Sequence, residues 1–126
     1  MFEDHIIFSG FSVDDLDAAQ RFYGKILGLS IKDQPMGHLE LHNQNSTPMV
    51  IYPKKDHQPA SFTVLNILVR KIEESVAQLR AKGICFEQYD GELQTDAKGI
   101  CRNVNGPKLA WFKDPAGNII SLIEDS

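Results

Sequence analysis

The chain has 126 residues, 42% of them hydrophobic and 24% charged, with a formal net charge of −4. That apolar content suits one globular domain with a real core and excludes a disordered segment. The acidic balance, with no Lys/Arg cluster beyond the Lys54-Lys55 doublet, excludes a nucleic-acid partner, and apolar runs such as Ile67-Leu68-Val69 are too short to span a bilayer.

The first predicted element is a strand over residues 7 to 13, in which Ile7, Ser9, Phe11 and Val13 alternate with Phe8, Gly10 and Ser12. Asp14 or Asp15 then caps a helix whose apolar stripe is Leu16, Ala19, Phe22, Tyr23, Ile26 and Leu27. Gly28 stops it. Three strands follow, near residues 30 to 34, 38 to 42 (His38-Leu39-Glu40-Leu41-His42) and 49 to 52. Residues 54 to 61 have linker composition. Beyond them the order repeats: a strand over 62 to 69, a helix over 72 to 82 ended by Gly83, and a strand over 84 to 88. A long polar stretch from Tyr89 to Pro107 leads to a hairpin, Leu109 to Lys113 and Asn118 to Ile123, joined by the turn Asp114-Pro115-Ala116-Gly117.

Val13 and Val69 align, as do Gly28 and Gly83 with one residue deleted, so the chain reads as two tandem copies of one βαβββ unit. The expected fold class is α+β, with module one over 1–53, a linker over 54–61 and module two over 62–126. A unit of about 60 residues buries a marginal core, so both copies are expected to pack as a single domain. Cys85 and Cys101 are expected to be free thiols, and Met1-Phe2-Glu3-Asp4-His5 lacks a basic leader; the expectation is a cytoplasmic protein with no membrane partner.

Two stretches carry a family resemblance: Val13 to Leu29, with Asp14-Asp15-Leu16 and Phe22-Tyr23-Gly24-Lys25-Ile26-Leu27-Gly28, and Trp111 to Ile120, with Asp114-Pro115-Ala116-Gly117-Asn118. Together they resemble the vicinal oxygen chelate superfamily of glyoxalases, bleomycin-resistance proteins and extradiol dioxygenases. The resemblance implies paired βαβββ modules whose sheets curve into a cup with helices outside, and, in the enzymes, one divalent metal within it. It also implies a homodimer in which strands of two chains complete each cup.

The family's metal positions lack ligands here. Counting back seven residues from Asp15 reaches Phe8, the same count from Lys71 reaches Val64, and the position of the family's last-strand Glu holds Ser121. Near Val50 to Tyr52 there is no carboxylate or imidazole either. A divalent metal needs about three N, O or S donors, so the expectation is no metal and no cofactor. His38, Glu40 and His42 share one strand face by alternation and admit three readings: a solvated face, a polar handle for a ligand, or an off-pattern metal site.

The remaining cup positions are mostly apolar. Phe8, Val64, Asn66, Trp111 and Ser121, with His38 and Glu40, form the candidate ligand-binding set, Trp111 being either a stacking platform or plain core. The stretch from Tyr89 to Pro107 is either a lid or a long surface loop. The first functional reading is a metal-free protein that sequesters a flat, neutral or cationic organic ligand, Glu40 disfavouring anions. Its alternatives are a metal-dependent glyoxalase, isomerase or dioxygenase-like enzyme with ligands from His38, Glu40 and His42, and an interaction domain that has lost the site.

Overall fold

The alternation of strand and helix signals emerges as two successive βαβββ modules in the computed structural model, which describes residues 1–103 and 105–125. Two compact units divide between Gln58 and Pro59, inside the segment read as linker. The fold is α+β: each unit holds one four-stranded mixed sheet and one main helix.

In the first unit, β1 (Gly10–Val13), α1 (Leu16–Gln20), β2 (Ser30–Asp33), β3 (Leu39–Asn43) and β4 (Ser46–Pro53) form a sheet of order β1-β4-β3-β2. β1 runs parallel to β4 and the other pairs are antiparallel. Asp15 caps α1 by accepting the Ala18 N–H at 3.1 Å. The helix continues over Arg21–Ile26 as a wider π-helical turn, with the Leu27 N–H bonding the Phe22 carbonyl five residues back. Phe22 and Tyr23 are both buried there, and Tyr23 packs on Phe11 with centroids 5.8 Å apart. Phe11, Val13, Leu39, Leu41 and Ile51 complete this core.

The second unit repeats the plan with β5 (Thr63–Val69), α2 (Ile72–Ala81), β6 (Ile100–Cys101), β7 (Leu109–Lys113) and β8 (Ile119–Glu124), in the order β5-β8-β7-β6. Leu65, Ile72, Val76, Ala110, Phe112, Ile120 and Leu122 are its core. Lys71 stands where Asp15 stands in the first copy and makes no side-chain cap. Glu124 takes over, its carboxylate accepting the Ile72 N–H at 3.0 Å. Gly28 and Gly83 follow the helices with φ of 73° and 93°, where a side chain would be strained.

Four expectations need correcting. The β1 ladder begins at Gly10↔Val50, with one further bond from the Val50 N–H to the Ser9 carbonyl, so the strand read from residue 7 starts later and Phe8 lies outside it. β4 is longer than residues 49 to 52, because a bulge between the Leu41 and Asn43 rungs accommodates Pro48, which cannot donate to a ladder. Residues 84 to 88 form no strand: Phe86 makes a lone bridge to Phe112, and the Glu87 N–H bonds the Trp111 carbonyl at 2.8 Å. The second sheet's outer strand comes instead from the polar stretch, at Ile100–Cys101. No helix among the described residues is long and apolar enough to cross a membrane.

Candidate functional site

Burying Phe112, Ile120 and Leu122 against α2 fixes the pleat of β7 and β8, and alternation then sends Trp111 and Ser121 to the other face. Register aligns three of the expected site residues across that face: Asn66 opposite Ser121, and Ser121 opposite Trp111. The Ser121 hydroxyl donates to Asn66 Oδ1 at 2.5 Å. Val64 is the extra residue of a bulge between the Thr63↔Ile119 and Leu65↔Ile120 rungs.

Trp111 is only 8% exposed despite facing away from the helix, because the chain between α2 and β6 packs against it. Tyr89 meets the indole edge-on, centroids 5.2 Å apart and planes 71° apart. Next to this pair lies a cleft of about 650 Å³. Thr63 and Ile119 line it from β5 and β8, Phe62 from just before β5, and Tyr89, Asp90, Glu92 and Leu93 from the loop. Gly91–Leu93 forms a single 3₁₀ turn that presents those loop side chains. The Tyr89 N–H bonds Thr95 Oγ1 at 3.0 Å, closing the loop on itself. Burial and then the Glu87 carboxylate push the Tyr89 phenol above its ordinary value, against the pull of Lys113. The phenol therefore stays protonated at neutral pH and can donate a hydrogen bond.

In the first unit the face opposite α1 carries Gly10, Ser12, Glu40, His42, Val50 and Tyr52. Glu40 and His42 meet, Oε1 to Nε2 at 2.9 Å, both half-buried. His38 does not join them in a chelating group: it precedes β3, and its carbonyl accepts the Gln34 N–H at 2.9 Å to close the turn from β2. His57, within the segment of linker composition, is half-buried with its Nδ1 2.6 Å from Ser12 Oγ.

The residues at the family's metal positions do not fit a metal. Phe8 is 60% exposed hydrocarbon, Val64 offers no donor, and the Ser121 hydroxyl is committed to Asn66. Among the described residues no three His, Cys, Asp or Glu side chains are grouped to hold a metal ion.

Of the residues expected from the sequence, Trp111, Asn66 and Ser121 come together on one sheet face, whereas the residues around the indole were not among them. Tyr89, Asp90 and Glu92 lie in the segment read as lid or surface loop, and the only signal for them was that segment's length and its Gly91 turn.

The repeated βαβββ order, the sheet order shared by both units and the Asp114 to Asn118 turn define a class, and family comparison agrees. The model of the Glyoxalase/Bleomycin resistance protein/Dioxygenase superfamily matches residues 4–122, and the chain belongs to that superfamily. No curated protein matches the chain. Among solved structures it is similar to TnmS3, an antibiotic binding protein from Streptomyces sp. CB03234, at 24% identity and a TM-score of 0.74, covering 100% of this chain and 99% of that one. It is also similar to a superfamily member from Sphaerobacter thermophilus DSM 20745, at 20% identity and a TM-score of 0.75 over 99% and 100% of the two chains. A lactoylglutathione lyase from Agrobacterium tumefaciens shares 20% identity and a TM-score of 0.69 over 96% and 93%. At such identities the likeness is one of fold.

Proposed function

We propose that this chain is a small-molecule-binding member of the superfamily that holds a flat organic ligand against Trp111, without a metal. The observation that carries this reading is the cleft beside the Trp111–Tyr89 pair, large enough for a drug-sized ligand and walled by Phe62, Leu93 and Ile119 with a few polar groups among them. Trp111 gives a broad π surface, and the protonated Tyr89 phenol gives a donor at its edge. Asn66, with Ser121 bonded to it, offers an amide on the same sheet face.

The donor chemistry favours binding over metal-assisted catalysis: the residues at the family's metal positions are two hydrocarbons and one engaged hydroxyl. In module one, Glu40 bonded to His42 is a polar contact for a ligand on that face. TnmS3 is an antibiotic binding protein, and ligand binding suits a chain with a stacking cleft and, among the described residues, no metal cage.

The assembly proposed is a homodimer. β1 and β5 are each one edge strand of their sheet, and large apolar side chains stand exposed near both, Ile6, Ile7 and Phe8 before β1, Phe62 before β5 and Leu68 within it. Open edges flanked by exposed apolar residues call for a partner, and a second copy provides the matching ones.

Native mass spectrometry of the purified protein, with elemental analysis of the same sample, tests the reading. The expected result is a dimer without stoichiometric metal that retains a small organic molecule or takes one up from a panel of planar compounds. A metal at one per chain, or a chain that binds no planar compound, contradicts it.

A further inference from the structure

We propose that the Trp111 cleft selects planar cations, and that the selection is made by Asp90 and Glu92 on the 3₁₀ turn rather than by Glu40. This deepens the binding function proposed above and rests on it. Three features of the cleft converge on this ligand class.

The first is the charge of the lining. Asp90 and Glu92 both border the cleft, and no Lys or Arg does. Lys113, whose charge Tyr89 senses, is drawn to Glu87 at 3.3 Å. The lining therefore carries two carboxylates uncompensated from within it.

The second is the aromatic surface. Indole and phenol faces attract cations through their quadrupoles, indole most strongly. The Trp111–Tyr89 pair and Phe62 place such surface in the same cleft as the carboxylates. A flat cation gains from both, a flat neutral molecule from the rings alone, and a flat anion meets repulsion.

The third concerns hydrogen bonding. Among the described residues no acceptor meets the Trp111 indole N–H and no buried side-chain nitrogen lacks a partner, so this N–H reaches the surface, where a ligand acceptor can meet it. Ligands with a ring-nitrogen or carbonyl acceptor are favoured over bare hydrocarbons. Heteroaromatic cations combine every feature.

Both carboxylates are exposed, so their attraction is screened by salt, and each is worth about two- to fivefold in affinity.

Calorimetry with three tricyclic compounds of similar size tests the proposal: proflavine as the cation, phenazine as the neutral molecule and anthracene-9-carboxylate as the anion. Proflavine is expected to bind about tenfold more tightly than phenazine at low salt, the anion more weakly than either. Half-molar sodium chloride shrinks that ratio in the wild-type protein, and the double variant Asp90→Asn/Glu92→Gln shrinks it to within about twofold while phenazine affinity holds. Equal binding of cation and neutral compound in the wild type, a ratio indifferent to salt, or a ratio that collapses in Glu40→Gln but survives in the double variant overturns the charge selection alone. If none of the three compounds binds, the binding function falls with it.

Discussion

Glu40 and Trp111 hold the same place in their respective sheets: Gly10, Val50 and Glu40 form one row in the first, and Asn66, Ser121 and Trp111 the matching row in the second. The two copies have thus kept a backbone lattice and changed what it displays, a carboxylate bonded to an imidazole in one and an indole in the other. The faces that helix packing leaves open therefore differ in chemistry between the two copies.

Tyr89 orders the indole. Replacing it by Leu removes an edge-to-face partner worth about 0.5 to 1.5 kcal/mol and opens Trp111 to water. The expected outcome is red-shifted tryptophan emission, weaker retention of planar ligands and an unfolding midpoint lower by a few degrees. An emission spectrum unchanged from wild type would mean the contact does not shape the site.

Glu124 stabilises a helix from another strand. Glu124→Ala leaves the Ile72 N–H without its acceptor and removes the only carboxylate that bonds the backbone at the start of α2 among the described residues, at a cost of about 1 kcal/mol. Urea unfolding should show a lower midpoint at unchanged slope. Glu124→Gln, which keeps an acceptor, should lose less.

Acid should loosen the loop that walls the cleft. Burial pushes Asp96 upward, but the Ile100 N–H, the Arg102 guanidinium and the Lys98 N–H outweigh it and hold its carboxyl below the ordinary 3.8. Because the folded value is depressed, Asp96 stabilises the fold fully above pH 3.8 and loses that contribution as pH falls through the lower folded value. Arg102 also bridges to Glu73 on α2, so the loosening should spread to the contact between loop and helix. Amide exchange of residues 89 to 103, corrected for its intrinsic pH dependence, should rise in that acid range in the wild type. In Asp96→Asn the acid step should be absent.

Zinc, nickel, iron and manganese should each leave the thermal unfolding midpoint unchanged, since a metal that bound the folded chain alone would raise it. A saturable rise in midpoint that disappears in Glu40→Ala would establish a site on the first sheet and favour an enzyme.

The modular plan was legible because its signals are local: alternation in β3, the Asp15 cap, Gly28 and Gly83, and the Asp114 turn each act over a few residues. With Phe112 buried, period-two alternation puts Trp111 on the opposite face, the one expected for it from the sequence. Where partners are distant the sequence was silent. Phe8 looked like a strand residue because alternation does not tell where a ladder ends. Ile100–Cys101 was hidden because a two-residue strand has no period. The carboxylates at the cleft and the His57–Ser12 contact depend on how loops fold back, which no spacing rule encodes.

Trp111 is the one tryptophan of the chain, so its fluorescence reports the cleft alone. Titrating the protein with proflavine is the most direct test that this cleft is a binding site. Saturable quenching of Trp111 emission at one ligand per cleft, weakened in Tyr89→Leu, is the predicted result; emission that stays unchanged to saturating ligand, or that falls only linearly with concentration, would contradict it.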